Sequence, residues 1–183
     1  RHIKDIDAKN ICLIKGLKVN LEISTKEEIV KNAIKIKPNF VCIVPENRKE
    51  ITTEGGLNLE KNKKNIKNII NKFKNIKIRT SLFINPTKKD ILLSHKLGAD
   101  CIEIHTGTFS NLIKVKKKYS RELLKIKECS NLAKSLGLEV HAGHGLDYES
   151  TRILAKINEI EEFNIGHFII GESIFYGLQK VIK

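Results

Sequence analysis

The feature that most constrains this chain is a rhythm. Short runs rich in branched and apolar residues, KVNLEI (18–23), FVCIV (40–44), IRTSLFI (78–84), CIEIH (101–105), LEVHA (138–142) and FNIGH (163–167), alternate with longer helical patterns. Helices are expected at about 5–14, 25–36, 59–73, 87–97, 111–135, 149–158 and 172–182. Ser24-Thr25, Asn85-Pro86-Thr87 and Asp147 supply start signals, and Gly98 and Gly137 stand where a helix closes before the next strand. Strands separated by helices pair in parallel, because a helical crossover returns the chain to the same end of the sheet.

Two layouts satisfy that rhythm, an open doubly wound sheet and a closed (β/α)8 barrel. Side-chain alternation separates them. Val19, Leu21 and Ile23 share one face of their strand, with Asn20 and Glu22 on the other. Ile102 and Ile104 oppose Cys101, Glu103 and His105; Val140 and Ala142 oppose His141. A sheet covered by helices on both faces reads as a continuous apolar run. A polar face carrying carboxylates and imidazoles fits a barrel interior near its catalytic rim. No GxGxxG follows a strand, which also counts against a dinucleotide-binding sheet. The expected fold is therefore α/β, a (β/α)8 barrel in one domain over 1–183, with six strands present and strands 1 and 2 of the barrel lacking.

Composition agrees. The 183 residues, 40% of them hydrophobic, suit one substantial core. The chain starts Arg1-His2-Ile3 and contains no Met, which suggests that a preceding segment is missing. No run approaches the roughly 20 apolar residues of a membrane helix. Cys12, Cys42, Cys101 and Cys129 lie far apart without CxxC spacing and read as reduced thiols of a cytoplasmic protein. The net charge of +13 invites a nucleic-acid reading. However, the lysines come with abundant Asn and Ile, as in KNKKNIKNIINKFKNIKIR (61–79), and aromatic residues are too sparse to form a stacking platform among them, Phe73 being alone in this run. A solvated helix face, or attraction of small anions, is the preferred explanation.

Active sites of such barrels lie at the C-terminal strand ends. Those ends offer Glu22, Pro45-Glu46, Glu103-His105-Thr106-Gly107, His141 to Gly145, and Asn164-Gly166-His167. Carboxylates and imidazoles meeting at one mouth suit proton transfer. The polar segment PENRKEITTEGGL (45–57) has the length and Gly pair of a lid. EVHAGHGLDY (139–148) admits three readings: a metal pair completed by His105, Glu103 or Cys101; a glycine turn for an anion and a proton-transfer His; or a structural loop. The second is preferred, because Gly143 and Gly145 flank His144 just before a helix start at Asp147.

The motifs RHI (1–3), NLE (20–22), VPENRKEITTEGGL (44–57), SLFINP (81–86), EIHTG (103–107), AGHGL (142–146) and NIGH (164–167) occur in one order along the whole chain. In series they resemble the pyridoxine 5′-phosphate synthase family. The resemblance implies a cytosolic (β/α)8 enzyme of vitamin B6 synthesis, without metal or redox cofactor, assembled as a homo-octamer. It implies condensation of 1-deoxy-D-xylulose 5-phosphate with 3-amino-2-oxopropyl phosphate, so the partners are phosphorylated small molecules rather than nucleic acid or membrane. It further implies Glu22 as proton acceptor, Glu103 as transition-state stabiliser and His144 as proton donor. His2 and Thr52 would contact the deoxyxylulose phosphate, and Gly145, Gly166 and His167 the amino-ketone phosphate; 45–57 would be the lid.

Two departures accompany the resemblance. The family's N-terminal part, with a further catalytic His and phosphate-binding Arg residues, has no counterpart here, so residues 1–183 alone are expected to be inactive. Position 141, often Asn in the family, is His.

Overall fold

The two faces of each strand carry different chemistry, and the fold separates them. The structure, a computed structural model, describes residues 3–45 and 55–183. Six strands, β1 Asn20–Ile23, β2 Phe40–Ile43, β3 Arg79–Ile84, β4 Cys101–His105, β5 Glu139–Gly143 and β6 Ile160–Asn164, form one sheet. All neighbours are parallel and the spatial order is the sequence order, β1 to β6. A doubly wound sheet reverses its strand order at a switch point. No reversal occurs here, so each crossover steps the same way, as in a (β/α)8 barrel, and the six strands make a curled part of one. Among the described residues, β1 and β6 are the two edges.

One face of the sheet packs on helices. Ile23, Val41, Ile43, Leu82, Ile84, Ile102, Ile104, Val140 and Ala142 join a single core with the helices' apolar stripes. Burying each large side chain contributes about 1.5–3 kcal/mol. The clearest stripe belongs to α3, Leu59–Asn75, where Ile66, Ile69, Ile70 and Phe73 recur at helical spacing and are buried. Its lysines lie on the opposite, exposed face. No helix among the described residues is long and apolar enough to cross a membrane.

The other face is the concave interior. Cys42, Val44 and Phe83 form a separate small apolar cluster there. Ser81, Glu103, His105 and His141 are buried beside it.

The remaining helices are α1 Asp5–Cys12, α2 Glu27–Ile36, α4 Lys88–Leu97, α5 Gly107–Lys114, α6 Ser120–Ser135, α7 Tyr148–Leu154, α8 His167–Tyr176 and α9 Leu178–Ile182. Three expectations need correction. The single helix expected at 111–135 is two, α5 and α6. After α5 the chain closes a Schellman turn, with Lys116 left-handed at φ 52° and Lys117 N donating to Leu112 O at 2.8 Å. A lysine at that position gives no sequence signal, unlike the usual glycine. The helix expected at 172–182 begins at His167 and breaks at Gly177. The last strand runs Ile160–Asn164 rather than 163–167; Ile160 pairs with Val140 and Glu162 with His141, so Glu161 is an extra, bulged residue. His167 is therefore the first residue of α8 and not a strand end.

Candidate active site

Glu103 sits at the centre of the concave face, 4% exposed, inward by the alternation that places Ile102 and Ile104 in the core. Asn164 Nδ2, from the end of β6, donates to its Oε2 at 2.8 Å. The Cys42 thiol, from β2, donates to the same oxygen at 3.4 Å. The other oxygen, Oε1, lies over Gly143: a Cβ built on that glycine would fall 2.0 Å from it. Only a residue without a side chain fits there.

Burial pushes Glu103 up to about 7, and the charge of Glu22 adds to the rise; the hydrogen bonds from Cys42 and Asn164 oppose it. Glu22, an exposed residue of β1, pairs in register with Cys42, so both carboxylates meet the same site. Cys42 is pushed well above the ordinary thiol range by its own burial and by Glu103 and Glu22. It therefore remains a thiol and a donor.

Two residues beyond Glu103, His105 ends β4. It is 5% exposed, and its Nε2 is buried without a hydrogen-bond partner. Its ring stacks on His144 with centroids 4.9 Å apart and meets Phe83 edge-on at 5.2 Å. Burial pushes His105 down to about 4, with His144 adding to the fall, so it is neutral at ordinary pH. Gly107 allows this approach: a Cβ there would come within 2.8 Å of the His105 ring and 3.0 Å of the His144 ring.

His144 is exposed and left-handed, with φ 79°. That conformation costs a non-glycine residue about 1–2 kcal/mol. Thr106 holds the turn from beneath. Its Oγ1 is 2.7 Å from Gly143 O and 2.9 Å from His144 O, and its N–H donates to Gly143 O at 2.9 Å. Gly145 follows, also left-handed at φ 77°. The Asp147 side chain then caps α7 by accepting from Ser150 N at 2.9 Å. Gly166 and His167, just past Asn164, form the exposed N-terminal end of α8. Backbone N–H groups at such an end suit an anion.

The structure thus brings Glu22, Glu103, His144 and Gly145 to one mouth and sets Gly166 and His167 on the helix after β6. His2, Thr52 and most of the proposed lid, 46–54, lie outside the described residues.

The two histidines of EVHAGHGLDY do not converge. His144 is at the rim, whereas His141 faces the interior, with Nε2 2.8 Å from Glu139 and Nδ1 3.6 Å from Glu162. Among the described residues, one group with metal-ligand chemistry, Cys101, Glu139 and His141, has ligand atoms within 4.8 Å of one another. The Arg79 guanidinium donates to both Cys101 and Glu139, so this cluster already holds a cation.

Matching of the whole chain to known families decides its kinship. Residues 1–183 match the family described as pyridoxal phosphate biosynthesis protein PdxJ. The chain belongs to the PdxJ family. A relative from Pelagibacter ubique, named pyridoxine 5′-phosphate synthase, is 62% identical over 182 residues, covering all of this chain and 76% of that protein. PdxJ relatives of the same name from Zymomonas mobilis and Campylobacter fetus are 45% and 42% identical, covering all of this chain and 71% and 79% of theirs.

The PdxJ chain also superposes on solved structures of unrelated sequence. A xylose isomerase domain protein from Planctomyces limnophilus gives a TM-score of 0.51 at 12% identity, over 90% of this chain and 70% of that one. The EAL domain of Mycobacterium smegmatis DcpA gives 0.51 at 13% identity, over 81% and 66%. These likenesses concern the fold alone and agree with barrel architecture.

Sequence reasoning placed Glu22, Glu103 and His144 on or just past the strands where the structure has them, but did not give the contacts around them. Cys42 was legible: it alternates with Val41 and Ile43 and so faces Glu22's side of the sheet. Thr106 and Gly107 were legible as strand-end residues, but their contacts with Gly143, His105 and His144, like that of Phe83 with His105, carried no such signal.

Proposed function

We propose that this protein is a pyridoxine 5′-phosphate synthase, condensing 1-deoxy-D-xylulose 5-phosphate with 3-amino-2-oxopropyl phosphate to pyridoxine 5′-phosphate, phosphate and water. The observation that carries the reading is the convergence of Glu103, buried and poised near neutrality, with Glu22 and the His144 turn. Ring formation by condensation, dehydration and aromatisation is a series of proton transfers between groups held together. A carboxyl near 7 can both hold and release a proton at working pH. The high identity to relatives bearing this name supports the same assignment.

In this reading Glu22 accepts a proton, Glu103 stabilises developing charge and His144 donates a proton to the leaving oxygen. Gly145 of the turn after β5, with Gly166 and His167 at the N-terminal end of α8, receives the amino-ketone phosphate. His2 and Thr52 contact the deoxyxylulose phosphate, and 45–57 closes over the site to exclude water from imine intermediates. The amine comes from the substrate, so no lysine Schiff base and no metal or redox cofactor is needed. The anionic partners of this basic chain are then phosphorylated metabolites, with no nucleic-acid or membrane partner. The working form is a cytoplasmic homo-octamer, and residues 1–183 alone, with six strands of an eight-stranded ring, are inactive.

Phosphate release by the intact protein tests the proposal. Release is expected only when both substrates are present, and Glu22→Gln or His144→Ala should reduce it by about 10²-fold or more. Release from one substrate alone, or unaffected variants, would sink the assignment.

A further inference from the structure

Glu103 is held by hydrogen bonds at one oxygen and rests against Gly143 with the other. Oε2 accepts from the Asn164 amide at 2.8 Å and from the Cys42 thiol at 3.4 Å, groups 61 positions away on either side in sequence. A carboxyl oxygen has two in-plane lone pairs, and both are used here. Oε1 instead lies over the bare Cα of Gly143, immediately before His144. We propose that Cys42 and Asn164 are positioning residues that saturate Oε2, so that Glu103 takes up and gives up its proton through Oε1 alone, at the Gly143 rim.

Several observations converge on this. Asn164 is the last residue of β6 and Cys42 lies in β2, so the carboxyl is gripped from both sides of β4. The thiol is 1% exposed and stays protonated beside two carboxylates, so its proton is there to donate, and its sulfur is only a weak acceptor. An amide nitrogen cannot accept. Protonating Oε2 would break the Asn164 bond and leave only the weak sulfur acceptor, so a neutral Glu103 carries its proton on Oε1. Gly143, lacking a Cβ, gives that oxygen its place at the end of β5. The grip thus selects one face of the carboxyl for chemistry and aims it at the strand end from which His144 projects.

The inference rests on the reading above that Glu103 stabilises developing charge, which a proton held on Oε1 would do by donating to it, and the test separates the two. The intact protein, labelled with carboxyl-13C glutamate, is titrated by NMR, with Glu103 identified by the signal lost in Glu103→Gln. Both donors oppose the rise in Glu103, so removing either should raise its titration further. A rise of about one pH unit is expected for Asn164→Leu and a smaller one for Cys42→Ala. Cys42→Ser keeps a donor and should titrate at or below the wild type. The same variants are assayed for phosphate release against pH, where the kcat limb should move with the titration and KM should change little. Thermal unfolding checks each variant, and if Cys42→Ala does not fold, Asn164→Leu decides. A Glu103 titration that stays in place in Asn164→Leu would overturn the grip. A titration that moves while the kcat limb stays would uphold the grip and remove Glu103 from the reaction.

Discussion

The imidazole of His105 lies almost flat on that of His144, with centroids 4.9 Å and planes 27° apart. The two rings differ in setting: His105 is walled in by Phe83 and Gly107, whereas His144 is exposed on a strained turn. The buried neutral ring is thus a shelf for the exposed one.

Removing the shelf should misplace His144. His105→Ala is expected to lower kcat for phosphate release by about tenfold or more, since small displacements of a reacting group are costly. His105→Phe keeps a flat ring and should retain most of the activity. Equal loss in both variants would mean that the His105 nitrogens matter, not its plane.

Glu103 and His105 should tilt the pH dependence of stability in opposite directions. Glu103 is raised from 4.5 to about 7, so the stability linked to its proton is present below 4.5 and lost as pH rises through 7. His105 is lowered from 6.5 to about 4, so its contribution is present above 6.5 and lost as pH falls through 4. Each amounts to a ceiling on the order of 3 kcal/mol. Urea unfolding should find Glu103→Gln more stable than wild type at about pH 8, with the advantage gone below 4.5. His105→Phe should show its advantage at acid pH only. A wild-type-like pH profile for either variant would contradict the assignment.

Gly143→Ala should damage the site more than the fold. The added methyl would fall 2.0 Å from Glu103 Oε1, and the grip on Oε2 limits its retreat. A loss of about 1–3 kcal/mol in stability is expected, with kcat reduced by about 10²-fold. Unchanged turnover would show that Oε1 can move freely.

Neighbouring glycines at the end of the expected lid should respond differently. A Cβ on Gly56 would come within 2.5 Å of the Ile84 backbone, while one on Gly55 meets nothing within 4 Å. Gly56 N also donates to Asn85 Oδ1 at 2.9 Å, and Leu57 N to Phe83 O at 2.7 Å. Gly56→Ala should cost about 1–3 kcal/mol and Gly55→Ala within about 0.5 kcal/mol, measured by chemical unfolding. Similar values for both would place this anchor elsewhere.

What could be read in advance follows from the range of each signal. Strand alternation is local, with a period of two, so the inward placing of Glu22, Glu103 and His141 was visible in short runs of sequence. Helix ends were visible where their chemistry was conventional, as at Thr87, Gly98 and Asp147, whose side chains or backbone do cap. They were invisible at Lys116, where a lysine adopts the left-handed turn a glycine would announce. The start of β6 escaped for another reason: Glu161 is a bulged residue that breaks the alternation of IEEFN, and glutamates are poor strand formers.

The sequence by itself determined the parallel six-stranded plan, the polar inner face and the residue types gathered at the strand ends, because periodicity and turn chemistry act between near neighbours. Only the tertiary structure decided that His141 and His144 serve separate levels, one among Glu139 and Glu162 and the other on His105. It alone decided that Cys42 and Asn164 hold one oxygen of Glu103 while Gly143 leaves room for the other. Those contacts join residues about 60 positions apart across three strands. They arise from the curl and register of the sheet, which no local pattern encodes.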